Sequence, residues 1–126
     1  MYNFFKSLPL DLIIYNGGAV LSIAVIAYLG AKERKASAHA SFMIHRTFNF
    51  PQSATAAQLK SHTESTAIDD RRTESILKGH VNLSTDQWAD LNNRDLVFSA
   101  EDAVKIGLAD EISEFRPPAG VQIYNV

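Results

Sequence analysis

Three residues of this sequence have the types that a hydrolytic set needs. Ser22 stands at the mouth of an apolar run, His45 at the end of the next, and Asp95 in a later polar stretch. A serine hydroxyl is a poor nucleophile until a base takes its proton, and the base works best when an acid orients it. Ser22, His45 and Asp95 are the candidates for those roles in that order. A serine that opens a helix after a glycine turn also gains free N–H groups and positive potential for a developing oxyanion. The N–H of Ile23 is the candidate donor. Bland readings compete at every position: a serine at a helix start commonly caps it, a histidine at a strand end is commonly structural, and a loop aspartate commonly forms a turn. Residue type and spacing alone do not separate these.

The elements that must position the three residues are legible in outline. Tyr2 to Ser7 reads as the end of a helix with Tyr2, Phe4 and Phe5 packing, stopped at Leu8-Pro9 because proline disfavours a helical residue before it. Leu10 to Tyr15 reads as a buried strand of a parallel sheet, and Asn16-Gly17-Gly18 as a turn. Leu21 to Leu29 is almost wholly apolar, which predicts a helix buried all round. The charged stretch Gly30 to Lys35 should turn at the surface, and Ser41 to Thr47 should return as a strand carrying His45 near its end. Phe48 to Ser53, with Pro51, is a connection. From Ala54 to about His80 the chain reads as one long helix with a thin, broken apolar stripe, suited to projecting or packing on a partner subunit. Ser84 with Gln87 forms a capping-box pattern that opens a helix using Trp88 and Leu91, and Ser99 with Asp102 a weaker one, closed by Gly107. Asn92 to Phe98 reads as a loop, Asp110 to Phe115 as a last strand, and residues 116–126 as a tail.

Composition bounds the function. The chain has 126 residues, 46% hydrophobic and 21% charged, with a net charge of −2 and no cysteine. One globular α/β domain over 1–126 is expected. No basic stripe supports nucleic-acid binding. The lack of cysteine removes thiolate metal sites and a cysteine nucleophile, and fits a reducing, cytoplasmic location. The apolar run Ala19 to Gly30 followed by Ala36-Ser37-Ala38-His39-Ala40 looks like a leader or short anchor, but it falls short of the ~20 residues of a spanning helix and Asp11 spoils a basic leader. No membrane partner, metal or organic cofactor is expected.

Three stretches, YNFFKSLPLDLIIYNGGAVLSIA, GAKERKASAHASFMIHR and RDLVFSAEDAVKIGLADEI, occur in the order in which they resemble the proteolytic subunit of the ATP-dependent Clp protease, notably its divergent bacterial relatives. The resemblance covers nearly the whole chain. It assigns the nucleophile to Ser22 in Ser22-Ile23-Ala24, the base to His45 in Met43-Ile44-His45, and the acid to Asp95 before the Phe98-Ser99-Ala100 helix start. Ala24 stands where the family usually has glycine. The family also carries, ahead of this region, strands and helices ending in a Pro-Gly-Gly type loop that supplies a second oxyanion donor. This chain starts beyond it, so an N-terminally truncated form is expected. Losing one such donor typically costs about 10²–10³ in rate. The resemblance implies a ClpP/crotonase-like parallel sheet with helical crossovers, a projecting handle-like helix over 54–80, and peptide hydrolysis through an acyl-enzyme. It also implies a ring-shaped homo-oligomer fed with polypeptide by an unfoldase ATPase. Rival readings are a non-catalytic Clp-like subunit with a structural or regulatory role, a crotonase-type acyl-CoA enzyme, and a membrane or secreted module. Because a histidine base acts only when neutral, hydrolysis should fall on acidification; a rate that does not fall removes His45 from the role.

Overall fold

A computed structural model describes residues 1–117 and 119–120 of the chain. Its elements in order are α1 (Tyr2–Ser7), β1 (Ile13–Asn16), β2 (Ala19–Leu21), α2 (Ile23–Tyr28), β3 (Glu33–Ala36), β4 (Ser41–Ile44), α3 (Ala56–His80), α4 (Thr85–Asp90), β5 (Leu96–Ser99), α5 (Ala100–Lys105) and β6 (Glu111–Ile112). The expected tail over 116–126 lies largely outside the described residues.

The strands form two three-stranded sheets, ordered β1-β3-β6 and β2-β4-β5. The first is parallel throughout; in the second, β2 and β4 are parallel and β5 runs antiparallel to β4. Between the sheets the chain turns at Gly17-Gly18, and Asn16 fastens that turn. Its Nδ2 donates to the Ser41 carbonyl at 2.9 Å and its Oδ1 accepts from the Gly18 N–H at 3.0 Å. Asn16 is 2% exposed, and burying an amide is tolerable when both ends are satisfied.

The core is built from one face of α2 and the inner faces of β4, β5 and α5. Val25, Tyr28 and Leu29 meet Phe42, Ile44, Leu96, Phe98, Ala100, Ala103 and Leu108, all buried. The Tyr28 ring packs on Phe42 with centroids 5.3 Å apart, and its hydroxyl donates to the Lys35 carbonyl at 2.9 Å. Burial pushes that phenol well above its ordinary range. Arg34 on β3 grips Asp110 through Nε at 3.2 Å and Nη2 at 2.5 Å, tying the first sheet to the turn after α5. Burial would raise the Asp110 carboxyl, but the Arg34 hydrogen bonds outweigh it and hold it below the usual range.

Several sequence expectations need correction. The apolar run splits: Ala19–Leu21 is strand, and the helix begins at Ile23. A short apolar run fits strand and helix equally well, and the pairing with β4 decides for strand over Ala19–Leu21. Nor is α2 buried all round, since Ile23 is 62% exposed and Ala24 also faces out. The charged stretch read as a turn contains β3, whose charges are satisfied laterally: Lys35 pairs with Glu111 at 2.9 Å and Glu33 at 3.4 Å. Asn92 to Phe98 is not all loop. From Leu96 it is β5, with Leu96 and Phe98 buried and Val97 and Ser99 exposed, the period of two that a half-buried strand requires. The strand expected at Leu10 to Tyr15 starts only at Ile13, and the last strand is two residues long. Elsewhere local chemistry decided the outcome. The capping box expected at Ser84/Gln87 forms before α4 and Ser99 caps α5, while a further box, Thr55/Gln58, opens α3.

Gly107 ends α5 with φ 77°, and a Cβ built there would stand 3.2 Å from the His80 carbonyl oxygen. Gly107→Ala should therefore cost about 1–2 kcal/mol, read as a lower denaturant midpoint at unchanged slope.

Candidate active site

Ser22 occupies the single residue between β2 and α2. Its N–H donates to the Met43 carbonyl at 2.8 Å, carrying the β2–β4 pairing one step past Leu21↔Met43. The chain then turns sharply, with Ser22 at φ 58° and ψ −128°, the angles of a turn position that normally takes glycine. Among the described residues it is the only non-glycine with positive φ. Such a conformation costs on the order of 1–3 kcal/mol and persists only where the surroundings over-determine it.

The commonplace role for this serine is excluded by its hydrogen bonding. Thr55, Ser84 and Ser99 each accept the N–H of the third helical residue into their side-chain oxygen, whereas Ser22 makes no side-chain cap bond. Its hydroxyl is left for other work.

His45 directly follows β4, the parallel neighbour of β2. Parallel strands present their carboxyl ends on the same side of the sheet, where open α/β folds collect their ligands, so Ser22 and His45 emerge together. Both line one cleft of about 250 Å³, walled by Ile23, Ile44 and Phe48 and, from α3, by Asp69, Arg72 and Thr73. The imidazole leans on the Phe48 ring, with centroids 5.0 Å apart. Its Nδ1 lies 2.6 Å from the Arg46 carbonyl oxygen. A carbonyl only accepts, so Nδ1 carries the proton, and in the neutral ring Nε2 is left with the basic lone pair. That is the tautomer a general base requires. Ser22 and His45 are not hydrogen-bonded to one another among the described contacts, a spacing that free sites often close only with substrate bound.

Asp95 is placed differently. One step beyond the Ile44↔Leu96 pair it falls opposite His45, yet it is exposed, is not among the residues lining the cleft, and makes no hydrogen bond or ion pair to His45 among the described residues. Sequence reasoning passed over a polar stripe on α3 instead. Thr66, Asp70 and Glu74, spaced one turn apart, hold the strand's continuation in succession. Asn49 Nδ2 donates to Thr66 Oγ1 at 2.6 Å, the Thr47 N–H to Asp70 Oδ1 at 2.8 Å, and Arg46 Nη1 to Glu74 Oε2 at 2.6 Å. Arg46 Nη2 also reaches Asn92 Oδ1 at 3.4 Å. Hydrogen bonds from Lys78 and then Arg46 hold the Glu74 carboxyl below its ordinary range. The signal was the i, i+4 spacing of polar residues, invisible to a search for an apolar stripe.

Among the described residues no group of three or more histidine, aspartate and glutamate side chains gathers as a metal site, and no helix is long and apolar enough to cross a membrane. The architecture is thus a mixed α/β fold that presents a strained serine and a histidine at the carboxyl ends of adjacent parallel strands. Compared with known families, residues 1–116 match the Clp protease family, and the chain belongs to it. A search of curated proteins finds no match.

The strain at Ser22 is open to measurement. Ser22→Gly, which relaxes the turn, should raise unfolding stability by about 1 kcal/mol, and Ser22→Ala, which keeps the Cβ, should not.

Proposed function

We propose that this protein is a serine endopeptidase that cleaves peptide bonds through an acyl-enzyme formed on Ser22. One observation carries the reading: a serine held in a glycine-like conformation, excused from capping its helix, shares a cleft with a histidine whose Nε2 is free to accept a proton. In the reaction, His45 Nε2 takes the hydroxyl proton as Ser22 Oγ bonds to the scissile carbonyl carbon, and returns it to the departing amine. Water then attacks the ester with His45 again as base. The tetrahedral oxyanion would be met by the N–H of Ile23, at the start of α2, where amides lack an intrahelical acceptor. Asp95 is the acid assigned by family resemblance. It would reach Nδ1 only if that nitrogen left the Arg46 carbonyl, because the ring has one proton to offer there.

Membership of the Clp protease family supports peptide hydrolysis over an acyl-CoA reaction. It also supports a ring-shaped homo-oligomer served by an unfoldase ATPase. For such an assembly α3 offers exposed Leu59 and Ile68 on a 25-residue helix whose buried residue, Leu77, lies near its end.

Fluorophosphonate labelling followed by peptide mapping tests the reading. The probe should modify Ser22, and Ser22→Ala and His45→Ala should each slow labelling and peptide hydrolysis by at least about 10³. A well-folded protein that takes no label at Ser22 would instead be a non-catalytic member of the family.

A further inference from the structure

The peptide unit between Arg46 and Thr47 has two hydrogen bonds, one at each end. Its carbonyl oxygen, on Arg46, accepts from His45 Nδ1 at 2.6 Å. Its N–H, on Thr47, donates to Asp70 Oδ1 at 2.8 Å. One rigid, planar amide therefore stands between a carboxylate on α3 and the imidazole of the cleft. Hydrogen bonds in such a chain polarise one another: a negative charge on the N–H side pushes electron density toward the carbonyl oxygen and makes it the better acceptor for Nδ1–H. No carboxylate oxygen lies within 4.0 Å of a His45 nitrogen among the described residues. The amide is thus what the ring has in place of a directly bonded acid.

We propose that Asp70 is the positioning residue for His45, acting through the Arg46–Thr47 peptide unit to fix the Nδ1–H tautomer and to stabilise the ring once Nε2 has taken a proton. The inference rests on the reading of Ser22 and His45 as nucleophile and base. It moves no proton between Asp70 and the ring: Nδ1 keeps its hydrogen, Nε2 gains the one from Ser22, and the positive charge that results is met by the carbonyl end of a peptide whose other end sits on a carboxylate. The neighbouring contacts keep the amide plane from turning. Arg46 is anchored to Glu74 at 2.6 Å and Asn49 to Thr66 at 2.6 Å, so the segment is pinned to α3 on both sides of the peptide. Asp70 and Thr47 are half-buried, which limits competition by water for the Thr47 N–H.

The test uses the full chain and two variants. Asp70→Asn keeps an oxygen for the Thr47 N–H but removes the charge, and Asp70→Ala removes both. Fluorophosphonate labelling of Ser22 should slow on the order of tenfold in the first and about a hundredfold in the second, with circular dichroism as in the parent. The ring ¹⁵N shifts of neutral His45 should show hydrogen on Nδ1 in the parent and a move toward the Nε2–H tautomer in Asp70→Ala, a change that a merely structural carboxylate would not cause. Labelling at the parent rate in both variants overturns the proposal, as does an Nε2–H ring in the parent, or a larger loss in Asp95→Asn than in Asp70→Ala. If the parent takes no label, the peptidase reading fails separately, and the ring shifts alone decide whether Asp70 sets the tautomer.

Discussion

The hydrogen bond from the Ser22 N–H to the Met43 carbonyl is the constraint from which the site follows. It extends the parallel pairing of β2 and β4 past the end of β2, so the serine must leave the sheet at the level where β4 is about to deliver His45. The backbone then has one residue in which to become helix. That residue accepts angles suited to glycine, and the cost is borne by the pairing on one side and by the buried Val25, Tyr28 and Leu29 of α2 on the other. A serine in a relaxed turn would be free to bond back to its own helix, as Ser84 and Ser99 do. The strained one makes no such bond, and it lines the cleft.

The second half of the site depends on α3, though its core contribution is small. Its Thr66, Asp70 and Glu74 form a ladder for Asn49, Thr47 and Arg46. A segment that leaves a strand without further pairing partners would ordinarily wander. Here its polar groups are matched one by one to a helix face, and the rigidity of that face is transmitted to the imidazole. The helix is polar over most of its surface because most of that surface is exposed, and the few residues that face the chain hold polar groups. The two supports are independent: β2 and β4 set where the serine and histidine stand, while α3 sets how the imidazole is turned.

Much of this was written into the chain locally. The Ser84/Gln87 capping box, the Ser99 cap, the glycine stop at Gly107 and the body of the long helix are fixed by side chains within a few residues of the backbone they control, so a linear reading finds them. The failures have one physical origin. Ala19–Leu21 and Leu96–Ser99 are strands because another strand lies beside them, and Glu33–Ala36 carries charge in a strand because Asp110 and Glu111 arrive from far along the chain. Cross-strand partners leave no mark on the local sequence.

The same division holds for the chemistry. Which groups are available can be read along the chain: a serine after a glycine turn, a histidine closing an apolar strand, no thiol, and the ordered motifs of the Clp protease family. What each group is free to do follows from contacts made in three dimensions. The positive φ of Ser22, the proton on His45 Nδ1 and the meeting of Thr47 with Asp70 each arise from contacts between residues more than twenty positions apart, or from the backbone conformation those contacts enforce. A side chain's type fixes its possible roles; the hydrogen bonds already occupying its polar atoms fix which role is left.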